Sequence, residues 1–178
     1  MAPSIKVGDT LPKGEFGYIP WAPELESHAS YSHSHVEFVP SKIDTEKDWK
    51  GKKVVLFSVP GAFTPTCHVN HLPPFLEKYD EFKAKGVDVI AVIAANDLFV
   101  MSGWARFEGC KDKIVALSDP GAKWSAALDL SVDLTDRGLG VRTARYAMII
   151  DDLVIKYVEV EPAPGVSVSG ADAVLAKL

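Results

Sequence analysis

The chain has 178 residues, 47% hydrophobic and 24% charged, and its 19 basic and 24 acidic side chains give a net charge of −5. Such a chain buries a sizeable core without disulfide or metal staples, and its acidic balance excludes nucleic acid as the main partner. Only two cysteines occur, Cys67 and Cys110, which excludes a secreted disulfide scaffold and favours a reducing compartment.

No apolar run approaches the ~18 residues of a membrane span. Met1 to Thr10 lack the basic-then-apolar pattern of a secretory signal, so none is expected. No repeat, linker or low-complexity stretch interrupts the chain, so a single domain over residues 1–178 is expected.

The first forty-five residues are the least regular. Phe16 to Ile19 and Val36 to Val39 are short apolar pieces that predict a β-hairpin or two edge strands around a long loop. Thr45 to Trp49 predicts one helical turn, ended by Gly51. Val54 to Val59 is a β-branched run, as expected of a strand buried on both faces. After the loop Pro60 to Thr66, a helix is expected to begin near Cys67, with Pro73-Pro74 kinking or splitting it. Phe75, Leu76, Tyr79 and Phe82 then share one helical face, and Gly86 fits its C-terminal cap.

Val87 to Ala95 predicts a second buried strand. Asn96 or Asp97 caps the next helix, with Leu98, Met101, Trp104 and Phe107 as its inward face. Ile114 to Leu117 predicts a third strand, Asp119-Pro120-Gly121 a turn, and Ala122 to Leu128 a short helix. Tyr146 to Ile150 and Leu153 to Val160 predict an antiparallel hairpin around Asp151-Asp152. Ser169 is expected to cap a final helix, with Asp172 closing a capping box. Trp49, Trp104, Trp124, Phe63 and Phe99 are expected in the core, with the pocket or a dimer face as the alternative for Phe63. The fold class is α/β, a mixed central sheet with helices on both faces.

The stretch Pro60-Gly61-Ala62-Phe63-Thr64-Pro65-Thr66-Cys67 leaves the C-terminal edge of a buried strand and enters a helix. Reaction sites in open α/β sheets lie at that edge. A cysteine in a first helical turn meets free N–H groups and the positive end of the helix dipole, and both favour the thiolate, the nucleophilic form. Placement and spacing alone leave two readings open, a reactive cysteine or a small buried one.

This string resembles the peroxiredoxin motif Pro-x-x-x-Thr/Ser-x-x-Cys, met by Pro60, Thr64 and Cys67. With His71-Leu72-Pro73 after it, it resembles the type-five (type II) subfamily, and looks fungal-like, of the peroxisomal membrane-associated kind. The likeness extends to Lys6-Val7-Gly8-Asp9, Gly51-Lys52-Lys53-Val54, Lys85-Gly86-Val87, Asn96-Asp97, Ser118-Asp119-Pro120 and Glu161-Pro162. It implies a thioredoxin fold with an N-terminal β extension and a thiol-dependent peroxidase. Cys67 would attack hydrogen peroxide or an alkyl hydroperoxide and become a sulfenic acid. Thr64 would hydrogen-bond the sulfur and the peroxide, Pro60 would shield the sulfur, and Arg145, just before Tyr146, would stabilise the thiolate and the developing oxyanion. Arg142 is a supporting candidate. Gly61 and Phe63 are candidates at the substrate, and His71 braces the active-site helix. The resemblance also implies a homodimer, with Phe63 a candidate for its face.

Relatives that carry a resolving cysteine place it near Ser169 or near His28 to His35, and this chain has none at either place. By topology Cys110 falls near the opposite sheet edge from Cys67, ~17–20 Å away, against the ~7 Å between Cα atoms that a disulfide tolerates. A one-cysteine mechanism is therefore expected, recycled by an external thiol such as glutathione, thioredoxin or glutaredoxin. The alternative is a redox-sensing or chaperone-like binding protein oxidised at Cys67. The absence of a C-x-x-C pair weakens a disulfide oxidoreductase. No cofactor is expected. Cys67, His71, His33 and His35 lack structural-zinc spacing, so no metal is expected either. Ala176-Lys177-Leu178 resembles a peroxisomal address, with the cytoplasm as the alternative.

Overall fold

In the computed structural model, which describes residues 3–26 and 39–178, the β-branched run after Gly51 becomes an interior strand of a seven-stranded mixed sheet. In chain order the first elements are β1 (Glu15–Tyr18), β2 (Ser41–Asp44), the single turn α1 (Thr45–Asp48) and β3 (Lys53–Ser58). A π-helical turn (Thr66–His71), α2 (Leu72–Glu77), α3 (Tyr79–Ala84), β4 (Val89–Ala94), α4 (Leu98–Phe107) and β5 (Val115–Ser118) follow. The chain ends with α5 (Lys123–Ala127), β6 (Ser131–Leu134), β7 (Gly140–Thr143), β8 (Tyr146–Asp151), β9 (Val154–Val160) and α6 (Ala171–Leu175).

The strand order is β2-β1-β5-β4-β3-β8-β9. The parallel core β3–β4–β5 is flanked by antiparallel β1 and β8. The β8–β9 loop, Asp152 and Leu153, has positive φ at both residues (47° and 67°), the conformation of a two-residue hairpin turn with primed geometry.

Alternation along the central strands builds two cores. Val55 and Phe57 of β3 face one side with Phe75, Phe82, Met101 and Trp104 from the helices. Val54 and Leu56 face the other, with Trp49, Leu128 and Leu130. Beneath the loop that carries Cys67, Phe57 and Phe75 stack at 3.9 Å between centroids, and Phe82 continues the stack at 5.4 Å. Aromatic pairs of this kind add about 0.5–1.5 kcal/mol beyond their buried area.

Several expectations are corrected. Ser41–Asp44 forms a strand in full register with β1; Val36 to Phe38, on which the expected apolar piece falls, and with them His28, His33 and His35, lie outside the described residues. The helix is divided just before Pro73 and Pro74, which fall at the start of α2, as expected, and a second, unexpected break comes at Lys78. Lacking N–H groups, the two prolines cannot donate to the carbonyls four residues back. The turn before them is wound in π register, with the Leu72 N–H on the Cys67 carbonyl.

Phe107 is 71% exposed, Phe99 58% and Phe63 49%, so none of the three belongs to the core. Gly170, not Ser169, caps α6; the Ser169 hydroxyl donates to Glu161 and Asp172 pairs with Lys78. The two-stranded β6–β7 sheet was not anticipated. Each of its strands has only four residues, too few for an alternation to register.

Candidate active site

The loop after β3 is held from several sides. The Val59 N–H donates to the Ile93 carbonyl at 3.1 Å, and the Thr143 hydroxyl donates to the Val59 carbonyl at 2.8 Å. The Ser58 hydroxyl donates to the Ala144 carbonyl, also at 2.8 Å. The Asn96 side-chain oxygen accepts the Ala62 N–H at 3.0 Å. Within the loop Phe63 sits at φ 61°. Left-handed backbone costs a bulky residue about 1–2 kcal/mol, and the surrounding bonds hold it there. The bend returns Thr64 to Gly61, whose carbonyl accepts the Thr64 hydroxyl at 2.8 Å. A Cβ on Gly61 would stand 3.1 Å from Thr64 Cγ2, so glycine permits this close approach.

Cys67 is fully buried in the π-helical turn. Arg145, immediately before β8, places Nη2 3.3 Å from Cys67 Sγ. Its Nη1 lies 3.0 Å from His71 Nδ1, and His71 Nε2 lies 2.9 Å from the Ser169 carbonyl oxygen. A guanidinium only donates and a carbonyl only accepts, so the ring carries its proton on Nε2 and a lone pair on Nδ1. Burial pushes the His71 imidazole down to about 4, and the Arg145 charge lowers it too, against the bond to Ser169. A neutral His71 therefore orients Arg145, and Arg145 faces the sulfur.

A cavity of about 640 Å³ opens here, with Pro60, Thr64 and Arg145 among its lining. Val132 and Leu134 of the β6–β7 sheet and Val160 contribute apolar surface. A water's share of liquid volume is about 30 Å³, so hydrogen peroxide needs only a small part of this space.

The structure brings Pro60, Thr64, Cys67 and Arg145 together. Gly61, Phe63, His71 and Arg142 stand around that group and do not line the cavity. His71 lies behind Arg145. Arg142 donates to the Leu139 carbonyl at 2.7 Å and reaches the Pro60 carbonyl and Asn96 side chain at 3.5 Å. Phe63 is half exposed and meets the Phe107 ring edge-on at 5.9 Å. The Thr64 hydroxyl engages Gly61 rather than the sulfur.

Cys110, just beyond α4, is a buried free thiol pushed up to about 12 by burial and then by the Glu108 charge. The active-site segment leans along α4, and His68, next to Cys67, meets Trp104 and Glu108.

Sequence reasoning missed Thr143, the loop-holding role of Asn96, and the Glu161–Ser169 contact behind His71. Asn96 carried the signal of a helix cap, which its neighbour Asp97 fulfils through Phe99 and Val100.

The Redoxin family model matches residues 6–175. A relative from Lipomyces kononenkoae whose name includes the words peroxisomal peroxiredoxin is 48% identical over 141 residues, covering 79% of this chain and 84% of its own. Reduced Prx3 from Vibrio vulnificus in complex with hydrogen peroxide superposes with a TM-score of 0.82 at 37% identity, covering 97% of this chain and 98% of that one. Peroxiredoxin 5 from Alvinella pompejana does so at 0.76 and 34% identity, covering 97% of each chain. These likenesses agree with the type-five motif and the thioredoxin-like sheet, and the chain belongs to the Redoxin family, among its peroxiredoxins.

Proposed function

We propose that the chain is a thiol-dependent peroxidase in which Cys67 is the peroxidatic residue. The observation that carries this reading is the Arg145 guanidinium 3.3 Å from a buried cysteine sulfur beside a cavity. The Cys67 thiolate attacks one peroxide oxygen. The S–O bond forms as the O–O bond breaks, and the leaving oxygen takes a proton to become water or an alcohol. Arg145 stabilises the thiolate before attack and the oxyanion during it. One external thiol then attacks the sulfenic acid, forming a mixed disulfide and releasing water. A second thiol attacks that disulfide and restores Cys67. The peroxide is reduced by two electrons and the two external thiols are oxidised to their disulfide.

The mechanism uses one cysteine of this chain, because the high thiol pKa and burial of Cys110 suit an inert side chain. Intact mass after one equivalent of hydrogen peroxide, with a dimedone-type trap, tests this. The adduct is expected in wild type and Cys110→Ser and absent in Cys67→Ser. A two-unit mass loss that requires both cysteines would refute it. Steady-state turnover with glutathione, thioredoxin or glutaredoxin separates an enzyme from an oxidation sensor, which would not turn over.

A homodimer is supported by the exposed pair Phe63 and Phe107 beside the active-site loop. Phe107→Asp is expected to shift sedimentation toward the monomer. Peroxisomal import is supported by Ala176-Lys177-Leu178 and by the relative's name. Leu178 packs against the core, so an import receptor would have to lift it. Deleting Leu178 from a tagged chain should abolish punctate localisation.

A further inference from the structure

Behind His71 stands a carboxylate that the peroxidase chemistry does not use. Glu161 follows β9, and its side chain accepts four hydrogen bonds from one short loop. Oε1 takes the Ser167 N–H at 2.7 Å, the Ser169 N–H at 2.8 Å and the Ser169 hydroxyl at 2.7 Å. Oε2 takes the Ser167 hydroxyl at 2.6 Å. Burial opposes the charge, but these four donors outweigh it and hold the carboxyl below its usual range. The Glu161 N–H also donates to the Arg145 carbonyl at 2.9 Å. One residue thus binds the backbone of Arg145 and the loop that ends at Ser169.

That loop is linked to the reaction centre through the Ser169 carbonyl, which accepts from His71 Nε2. Ser169 is fully buried, and the Tyr157 hydroxyl fixes the neighbouring Val168 carbonyl at 2.7 Å. If the Ser169 carbonyl moves away, nothing requires the His71 proton to stay on Nε2. On Nδ1 it would face Arg145 Nη1, donor against donor, and Arg145 would turn from the sulfur.

We infer that Glu161 is a positioning residue for the peroxidase reaction: by holding the Ser169 carbonyl it fixes the tautomer of His71 and so aims Arg145 at Cys67. The inference rests on Cys67 and Arg145 having the roles proposed above.

The test uses the full chain with hydrogen peroxide, comparing wild type, Glu161→Ala, Glu161→Gln, Arg145→Gln and the double variant Glu161→Ala/Arg145→Gln. Two readouts are taken, the second-order rate constant and the pH profile of Cys67 alkylation by iodoacetamide. Glu161→Ala is expected to slow peroxide reduction about ten- to a hundredfold, as misplacement of a reacting group does. It should also move the alkylation midpoint to higher pH. Glu161→Gln keeps an oxygen for three of the four bonds and is expected to restore most of both. In the Arg145→Gln background Glu161→Ala should add little, because the two act through one path.

A Glu161→Ala protein that loses thermal stability but keeps its alkylation profile would overturn the inference, as would independent, multiplying effects of the two substitutions. If Glu161→Ala does not fold, Ser167→Ala/Ser169→Ala removes two of the four donors and should shift the profile in the same direction; an unchanged profile counts against the inference. Failure of the underlying reading looks different: Arg145→Gln alone would leave both readouts unmoved.

Discussion

Acid should weaken this fold through His71 before it disturbs the site. The imidazole is buried, neutral, and held at about 4, against 6.5 in an unfolded chain. Because the folded value is depressed, its contribution to stability is fully present above about pH 6.5 and is lost as the pH falls through about 4. In that window the unfolded chain binds the extra proton and the folded chain does not. At about pH 5 the two values give a loss of about 2 kcal/mol relative to about pH 7.5. Urea denaturation of wild type and His71→Gln at both pH values checks this. The variant should be less stable than wild type near pH 7.5, yet its own loss on acidification should be smaller by about 2 kcal/mol. Peroxide reduction by molecules still folded should not fall for this reason until the pH nears 4, where Nδ1 gains a proton and can no longer accept from Arg145. Equal acid losses in the two proteins would refute the argument, because a solvated histidine behaves that way.

Three further outcomes are expected. Arg145→Gln removes the fixed charge 3.3 Å from the sulfur and should slow reaction with hydrogen peroxide about a hundredfold or more, measured by stopped-flow; a change under threefold would remove Arg145 from the chemistry. In Cys67→Ser the remaining thiol, Cys110, is buried and pushed up to about 12, so iodoacetamide near pH 8 should leave the native protein unlabelled until denaturant is added. Phe75→Ala opens the stack between Phe57 and Phe82 and should cost about 3–5 kcal/mol in denaturant titrations; a cost under about 1 kcal/mol would show that the stack is not rigid.

The parts of the fold legible in the sequence are those with long, one-sided patterns. Val54 to Ser58 and Val89 to Ala94 are nearly continuous apolar runs and became adjacent central strands. The β8–β9 hairpin showed through two apolar runs separated by acidic turn residues. Cys67 drew attention for a local reason, the Pro-bounded loop leading into it, but that pattern left a reactive and a merely buried cysteine both open, and the resemblance chose between them. Arg145 was placed only through resemblance, since it lies 78 residues from Cys67 and no local pattern couples them. The supports of Arg145 were hidden for the same reason. Ser169 carries a helix-cap signature, and its bond to Glu161 depends on how β9 ends. Ser131–Leu134 and Gly140–Thr143 were too short to display a period, and Phe107 follows the helical spacing of α4 yet faces out.

The β6–β7 sheet pairs only with itself, outside the seven-stranded sheet, yet it contributes Val132 and Leu134 to the cavity wall. Cys67 and Arg145 hang from β3 and β8 instead. Wall and floor join at Thr143, whose hydroxyl holds the Val59 carbonyl. Substitutions and length changes at the tip between Leu134 and Gly140 can reshape the peroxides admitted while leaving the sulfur and its guanidinium in place. Diversification of such an enzyme toward new hydroperoxides would therefore be concentrated in that tip, and a library confined to it would be the economical place to look for altered selectivity.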